Sequence, residues 1–354
     1  LIINGAMRVA QRGDIASVTS GYGGADRFKF DRDGATAVTL KQGGSGVSPV
    51  SEGFSYCQHI DITTADTSMG SANYNILTTR LEGYNLQGIQ KGTANARELT
   101  LSFYIKSTVT GTYIVELVDQ SNSARHVNKA YTVSASNTWE KKEITFPADT
   151  TGTITSDHNR RLDINWWLGA GSTYNSGTLQ TSWGADTNAN RAVGQVNAVN
   201  SASNDIMITG VQLEEGNVAT SFEYRSLCEE LKLCQRYYAI FHPCTQAQIY
   251  IESGGTETHS FWEGPVPQGM RSEPSVTLSG NWTGHNIAGG KTISAVAVQG
   301  IDNGGNAGTP HPGSMGAVSL RVTRNSGGTY SDRDVVHHDG WGNGVAWIGY
   351  DAEF

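Results

Sequence analysis

The feature that most constrains this chain is an alternation of apolar residues at period two, repeated in short segments along its length. In residues 98–107, Leu99, Leu101, Phe103 and Ile105 fall on one face. In residues 111–119, Tyr113, Val115 and Leu117 do the same. Period two is the signature of a strand with one face in a core. The intervening Thr108-Val109-Thr110-Gly111 fits a hairpin connection. Similar alternation marks residues 27–30, 37–40, 59–62, 76–81, 130–133, 139–146, 161–168 and 205–213. After residue 241 it returns at 249–251, 276–278, 292–298, 318–322 and 345–350.

Composition agrees with many short strands joined by tight turns. Of 354 residues, 43 are Gly and only 16% are charged, against typical shares of about 7% and 25%. Gly supplies positive φ in turns, and a mostly helical chain would carry more Ala, Leu, Glu and Lys.

One segment reads as helical, residues 226–238. Ser226 and Glu229 have the spacing of a capping box, which satisfies two backbone donors at a helix start. Leu227, Leu231, Cys234 and Tyr238 are spaced four, three and four apart, an a/d seam of about one and a half heptads. The stripe either packs on the β-domain or joins copies of the chain. The expected architecture is all-β: a sandwich over residues 1–224, a connecting helix at 225–239, and a smaller β-domain at 240–354.

Several function classes find no support. The formal net charge is −8, without the basic footprint that nucleic-acid binding needs. No stretch approaches the roughly 20 apolar residues of a membrane span. The chain starts at Leu1 with no signal-peptide pattern, so synthesis in a cytoplasm is expected. Cys57, Cys228, Cys234 and Cys244 lack zinc-type spacing and read as reduced and structural. No G-x-S-x-G or H-E-x-x-H occurs. Gly43 to Ser48 is a Gly/Ser turn rather than a phosphate loop, because no Lys-Ser/Thr follows. Glu214 and Glu215 are adjacent and diverge on a strand, whereas glycan hydrolysis needs two carboxylates facing one bond. The expectation is a non-enzyme.

Binding candidates are aromatic. Trp139, Trp166, Trp167, Trp183, Tyr174 and Tyr84 are available in the first domain. Adjacent on a strand, Trp166 and Trp167 face opposite sides, one in the core and the other exposed or at an interface. Trp183 and Tyr174 lie in the Gly-, Ser- and Asn-rich stretch 170–204, which is long for a plain loop and suited to carry a binding surface. Trp183, Tyr174 and Trp167 are the candidate ligand contacts, against the alternative that each simply packs. Asp332, Asp334, His337, His338 and Asp339 have metal-ligand residue types but read as a polar turn.

Residues 208–238, ITGVQLEEGNVATSFEYRSLCEELKLCQRYY, resemble a segment recurrent in bacteriophage tail-fibre and other virion structural proteins. There a jelly-roll domain like the carbohydrate-binding modules ends in a GVQLEEG…ATPFEYR strand and turn, followed by a short helix ending in CQRYY. Ser221 stands where that family often has Pro. The opening INGAMRVAQRG, Asp26-Arg27-Phe28 and LTLSFYIKS are similar to other parts of the pattern, which covers about residues 1–238. FWEGPVPQGMRSEPSVTL, from Phe261, is similar to the run that follows CQRYY in these proteins, interrupted at Gln268-Gly269.

The resemblance implies a jelly-roll sandwich on a virion surface, made in the host cytoplasm. It implies a homotrimer built around Leu227, Leu231, Cys234 and Tyr238, with other virion proteins and a host surface polysaccharide as partners. A tail fibre or receptor-binding protein is the leading form. A capsid decoration or head-fibre protein is the second, and a polysaccharide depolymerase the third. Similar jelly rolls hold a structural Ca²⁺, for which Asn4, Asp26 and Glu214 are candidate ligands. No other cofactor is expected.

Overall fold

In the computed structural model, residues 1–241 are described throughout, together with the later strands and residues 269–272, 274 and 347–354. Twelve strands form the first part: β1 (Ile15–Val18), β2 (Gly21–Tyr22), β3 (Lys29–Asp33), β4 (Ala37–Gly43), β5 (Cys57–Thr64), β6 (Tyr74–Glu82), β7 (Leu99–Ser107), β8 (Gly111–Asp119), β9 (Arg125–Val133), β10 (Glu140–Phe146), β11 (Arg160–Ala170) and β12 (Asp205–Glu215). They make two six-stranded sheets. Sheet A runs β1-β4-β5-β12-β7-β10 and sheet B runs β2-β3-β6-β11-β8-β9. All the strand pairings are antiparallel. The chain is all-β, and this part is a jelly-roll sandwich.

The apolar alternation places the core. Leu40, Ile60, Leu101, Phe103, Ile105, Phe146 and Ile208 project from sheet A, and Phe30, Leu77, Val115, Leu117, Val127, Ile164 and Trp166 from sheet B. All are buried. Trp166 lies at the centre, edge-on to Phe103 at 5.7 Å and tilted on Phe28 at 6.2 Å. Such aromatic pairs add about 0.5–1.5 kcal/mol beyond area burial.

Two local expectations are corrected. Residues 98–107 and 111–119 are strands, but they do not pair as a hairpin. β7 pairs with β10 and β12, while β8 pairs with β9 and β11. The connection crosses from one sheet to the other, and Gly111 takes φ +136 at the crossing, a conformation open to Gly. Both strands carry one apolar face, and crossing lets those faces meet across the core. The second correction concerns the helix. α1 (Ser172–Asn175) is one turn, and α2 runs Leu227–Gln235. Tyr238 therefore lies beyond α2, where it opens β13 (Tyr238–Phe241) opposite Asp351. Strand pairing ends the a/d seam after Cys234.

The capping box forms as the spacing predicts. The Ser226 amide donates to Glu229 Oε2 at 3.0 Å, and the Glu229 amide to Ser226 Oγ at 3.2 Å. Glu230 accepts the Asn4 amide on Oε1 at 2.5 Å, tying α2 to the start of the sandwich.

The chain divides into a unit of residues 1–234 with Phe354, and a second of residues 235–353. All of α2 but its last residue, Gln235, thus belongs to the first. The second contains β13, β14 (Ile249–Ile251), β15 (Ser260–Phe261), β16 (Glu263–Pro265), β17 (Ser275–Ser279), β18 (Thr283–His285), β19 (Ile293–Asp302), β20 (Ala317–Arg324), β21 (Val335–His337) and β22 (Trp347–Asp351). These form small sheets ordered β13-β22-β17, β15-β14-β21-β18 and β16-β20-β19. Cys244 and, in the acidic/His run, Asp332, Asp334, His338 and Asp339 lie outside the described residues. Among the described residues no helix is long and apolar enough to cross a membrane.

Candidate functional site

The outer face of sheet B is polar and aromatic, not the bare solvated face of a simple sandwich. Its residues follow from register. Lys29, Thr78, Asn165, Glu116 and Asn128 stand directly opposite one another across five strands. One step along lie Asp31, Ile76 and Trp167, and one step the other way Arg80, Asp163, Val118 and His126. Steps on one face are about 7 Å apart.

The 170–204 segment folds back over this face. Its backbone bonds to edge strand β9: the Asn128 amide donates to Gln180 O at 2.8 Å, and His126 and Gly184 exchange bonds at 3.1 and 3.2 Å. That occupies an edge that would otherwise offer unpaired backbone groups. A satellite apolar cluster forms beneath it from Ile114, Trp167 and Ala192, with Tyr74, Ile76 and Tyr174 packed against them.

One buried ion pair fixes the cover. Arg191 Nε and Nη2 donate to Glu116 Oε1 and Oε2 at 2.7 and 2.8 Å, and Asn165 Nδ2 donates to Glu116 Oε2 at 2.9 Å. Burial pushes the Glu116 carboxyl up, but the Arg191 charge and these hydrogen bonds outweigh it and hold it below its usual range. The Arg191 guanidinium also lies 5.3 Å from the Trp167 ring centre and 6.0 Å from that of Tyr174.

Where the cover stops, a cavity of about 300 Å³ opens on the sheet. Its lining follows the register: Asp31, Ile76 and Trp167 from one row, Thr78 and Asn165 from the next, Arg80 and Asp163 from the third, with Tyr74, Gln120, Arg160, Tyr174 and Arg191 around them. The volume is at the lower end for small-molecule sites. Tyr74 meets Tyr174 edge-on at 5.8 Å, and Trp167 meets Tyr174 at 5.4 Å. Arg160 holds Asp163 through two guanidinium hydrogen bonds, and Gln120 Nε2 donates to the same carboxylate at 2.7 Å. Thr78 Oγ1, Arg80 Nε and Trp167 Nε1 are buried polar atoms with no hydrogen-bond partner in the protein.

No family model matches this chain, and no curated protein matches it in sequence. Similar solved structures include the enzymatically active domain of tailspike protein 4 of bacteriophage CBA120, at 16% identity over 57% of this chain, TM-score 0.32. The match spans 21% of that tailspike chain. A putative sugar-binding protein from Bacteroides thetaiotaomicron is similar at 14% identity over 61% of this chain and 99% of its own, TM-score 0.32. The carbohydrate-binding module CBM4 is similar at 12% identity, over 61% and 99%, TM-score 0.31.

Of the three aromatic candidates, Trp167 and Tyr174 come together in the cavity wall. Of the adjacent pair, Trp166 is the one in the sandwich core, and Trp167 on the opposite face is only 1% exposed, because Tyr74, Tyr174 and Arg191 cover it. Trp183 lies elsewhere. Its Nε1 donates to Pro147 O at 2.8 Å, and its ring lies 5.0 Å from the buried Lys91 ammonium. Lys91 in turn bridges Asp119 and Asp149. Trp139 donates its indole N–H to Val47 O at 2.9 Å, and Tyr84 is exposed.

The calcium candidates do not fit a cation as a set. Asn4 Nδ2, a donor, points at Val9 O and Asp26 O at 2.8 and 2.9 Å. The Asp26 carboxylate accepts the Gln11 amide and Gln11 Nε2 at 3.0 and 2.7 Å, and burial pushes its carboxyl up. Glu214 turns away to Thr220, while Glu215 pairs with Arg97 at 2.8 Å. Among the described residues no group of three His, Cys, Asp or Glu is placed to hold a metal.

Sequence reasoning missed Asp31, Tyr74, Arg80, Asp163 and Arg191. A signal existed: Tyr74, Thr78 and Arg80 alternate with the buried Asn75, Leu77, Thr79 and Leu81 along β6, so chemistry-bearing side chains share a face opposite the core.

Proposed function

We propose that this protein is a non-catalytic glycan-binding module of a bacteriophage surface appendage, with the cavity on sheet B as its sugar site. The observation that carries the reading is the meeting of Tyr74, Trp167 and Tyr174 with Thr78, Arg80 and Asn165 around one opening. Aromatic rings take the C–H faces of a sugar, and the polar groups orient its hydroxyls. Binding rather than hydrolysis is favoured because Asp163 is already engaged by Arg160 and Gln120.

The virion setting is supported by the sequence similarity of residues 208–238, with a tail fibre contacting a host surface polysaccharide as the leading form. A homotrimer belongs to the same reading. Leu227 on α2 is 49% exposed and Leu231 half-buried, whereas Cys234 and Tyr238 are buried within the chain. Three linked sites would raise avidity without new contacts.

The test is calorimetric titration of the whole chain with purified host surface polysaccharide. Saturable binding, weakened about tenfold in Tyr174→Ala, is expected. Shortening of the polysaccharide during incubation would refute the non-catalytic part. Light scattering is expected to return three chain masses; a single chain mass at micromolar concentration would exclude the trimer.

A further inference from the structure

We infer that the cavity selects glycans bearing an oxyanion on the sugar, a uronate carboxylate or a sulfate ester, held by Arg80. This deepens the glycan-binding reading and rests on it.

The argument starts from hydrogen-bond satisfaction. The buried lining atoms without partners are Arg80 Nε, Trp167 Nε1 and Thr78 Oγ1. Two of these only donate, and the hydroxyl also can. Buried donors left unmatched are costly. The carboxylates nearby are already engaged. Asp163 accepts from Arg160 and Gln120, Glu116 from Arg191 and Asn165, and Asp31 from Ser20, Lys29 and the Arg32 amide. A ligand that fits must bring acceptors.

Charge narrows the choice. Arg191 pairs with Glu116, and Arg160 with Asp163. Arg80 and Lys29 share the one remaining carboxylate, Asp31, at 3.8 and 3.4 Å. Both exceed the roughly 2.7–2.9 Å of a good charge-assisted bond. Asp31 is therefore a distant partner, and the Arg80 Nε–H is left for a further acceptor. Burial and the neighbouring Arg80 charge also push the Lys29 ammonium down. Arg80 is only 8% exposed, with Nη1 on Phe354 O at 2.5 Å, so its guanidinium is held in place. A planar guanidinium with an unused N–H is suited to an oxyanion.

The experiment is an oligosaccharide array probed with the whole chain. It carries uronate-containing and sulfated glycans, each beside its carboxyl-reduced or desulfated counterpart, and neutral β-glucans. Binding to an acidic member that falls at least tenfold on reduction or desulfation is expected, and the treatment that abolishes it identifies the oxyanion. Arg80→Gln should give the same loss. The chemical pairs need no variant, so the test stands if Arg80→Gln does not fold. Equal binding to an acidic glycan and its neutralised counterpart, or binding to neutral glycans alone, would overturn the inference and leave the glycan-binding reading intact. An array with no bound glycan would overturn both.

Discussion

Arg191 reaches down through the cover of sheet B to grip Glu116 with two parallel hydrogen bonds at 2.7 and 2.8 Å, one for each carboxylate oxygen. Glu116 is fully buried, so the pair couples the placement of the 170–204 segment to the sheet beneath it. Removing one partner of a buried pair leaves an uncompensated charge and costs about 3–5 kcal/mol. Arg191→Ala should lower unfolding stability by about that amount in urea denaturation. Adding Glu116→Gln should recover part of the loss, because the stranded charge is gone. Equal stability of Arg191→Ala and the parent chain would disprove the coupling.

Stability should also depend on pH through His126. This ring is fully buried, with Nε2 accepting the Thr187 amide at 3.2 Å. Burial, aided by Arg191, pushes it below the ordinary imidazole value, against the opposing pull of Glu116 and Asp186. The folded state thus binds the proton less readily than the unfolded chain. Its contribution is fully present above the unfolded value of about 6.5 and is lost as pH falls below it. Melting temperature should decline from pH 7.5 to 5, and His126→Gln should flatten that decline. The depressed carboxyls Glu116, Asp149 and Asp157 act at lower pH, near and below 4.

Gly210 should resist substitution. It has φ +61 at a register shift in β12, and a Cβ there would lie 2.7 Å from the Phe54 ring. That ring is wedged edge-on against Phe222 at 5.1 Å and tilted on Tyr104 at 5.3 Å. Gly210→Ala is expected to cost about 1–3 kcal/mol from strained backbone and displaced packing, read from the denaturation midpoint.

Two aromatic residues from one segment should separate stability from binding. Trp183→Ala removes the covering ring over Lys91 and an indole hydrogen bond, so a loss of about 2–3 kcal/mol is expected with glycan affinity retained. Tyr174→Ala should weaken glycan binding by about tenfold, or roughly 1.4 kcal/mol, with little change in melting temperature. A reversed pattern would move the sugar site from the cavity to Trp183.

The strands were legible because burial imposes period two on each of them. Leu99 to Ile105 and Tyr113 to Leu117 name their own inward faces. Partnership was not legible. A period says which face is apolar, but not whether the next strand lies beside it or across the core, so Thr108 to Gly111 read as a hairpin. The capping box was readable because its bonds are local, three residues apart. The seam was overextended to Tyr238 because spacing carries no information about a strand partner more than a hundred residues away, at Asp351. The site was half legible. Tyr174 and Trp167 stand out in the sequence as aromatics in the right region, but Arg80, Asp31 and Arg191 meet them only through the register of β3, β6 and β11 and the fold-back of the cover.

Strand order also has a consequence for how the molecule is made. The final two strands of the sandwich to be synthesised, β11 and β12, each insert into the interior of a sheet, between β6 and β8 and between β5 and β7. Until Ala170 has emerged from the ribosome sheet B is split into two pieces with raw inner edges, and sheet A stays so until Glu215 has emerged. Such edges invite pairing with other chains, and the distant contacts that close them form slowly. Dense polysomes would place many half-built copies side by side. Assembly of full-length protein should therefore be sensitive to synthesis rate and growth temperature, and truncations ending before residue 205 should accumulate as insoluble material.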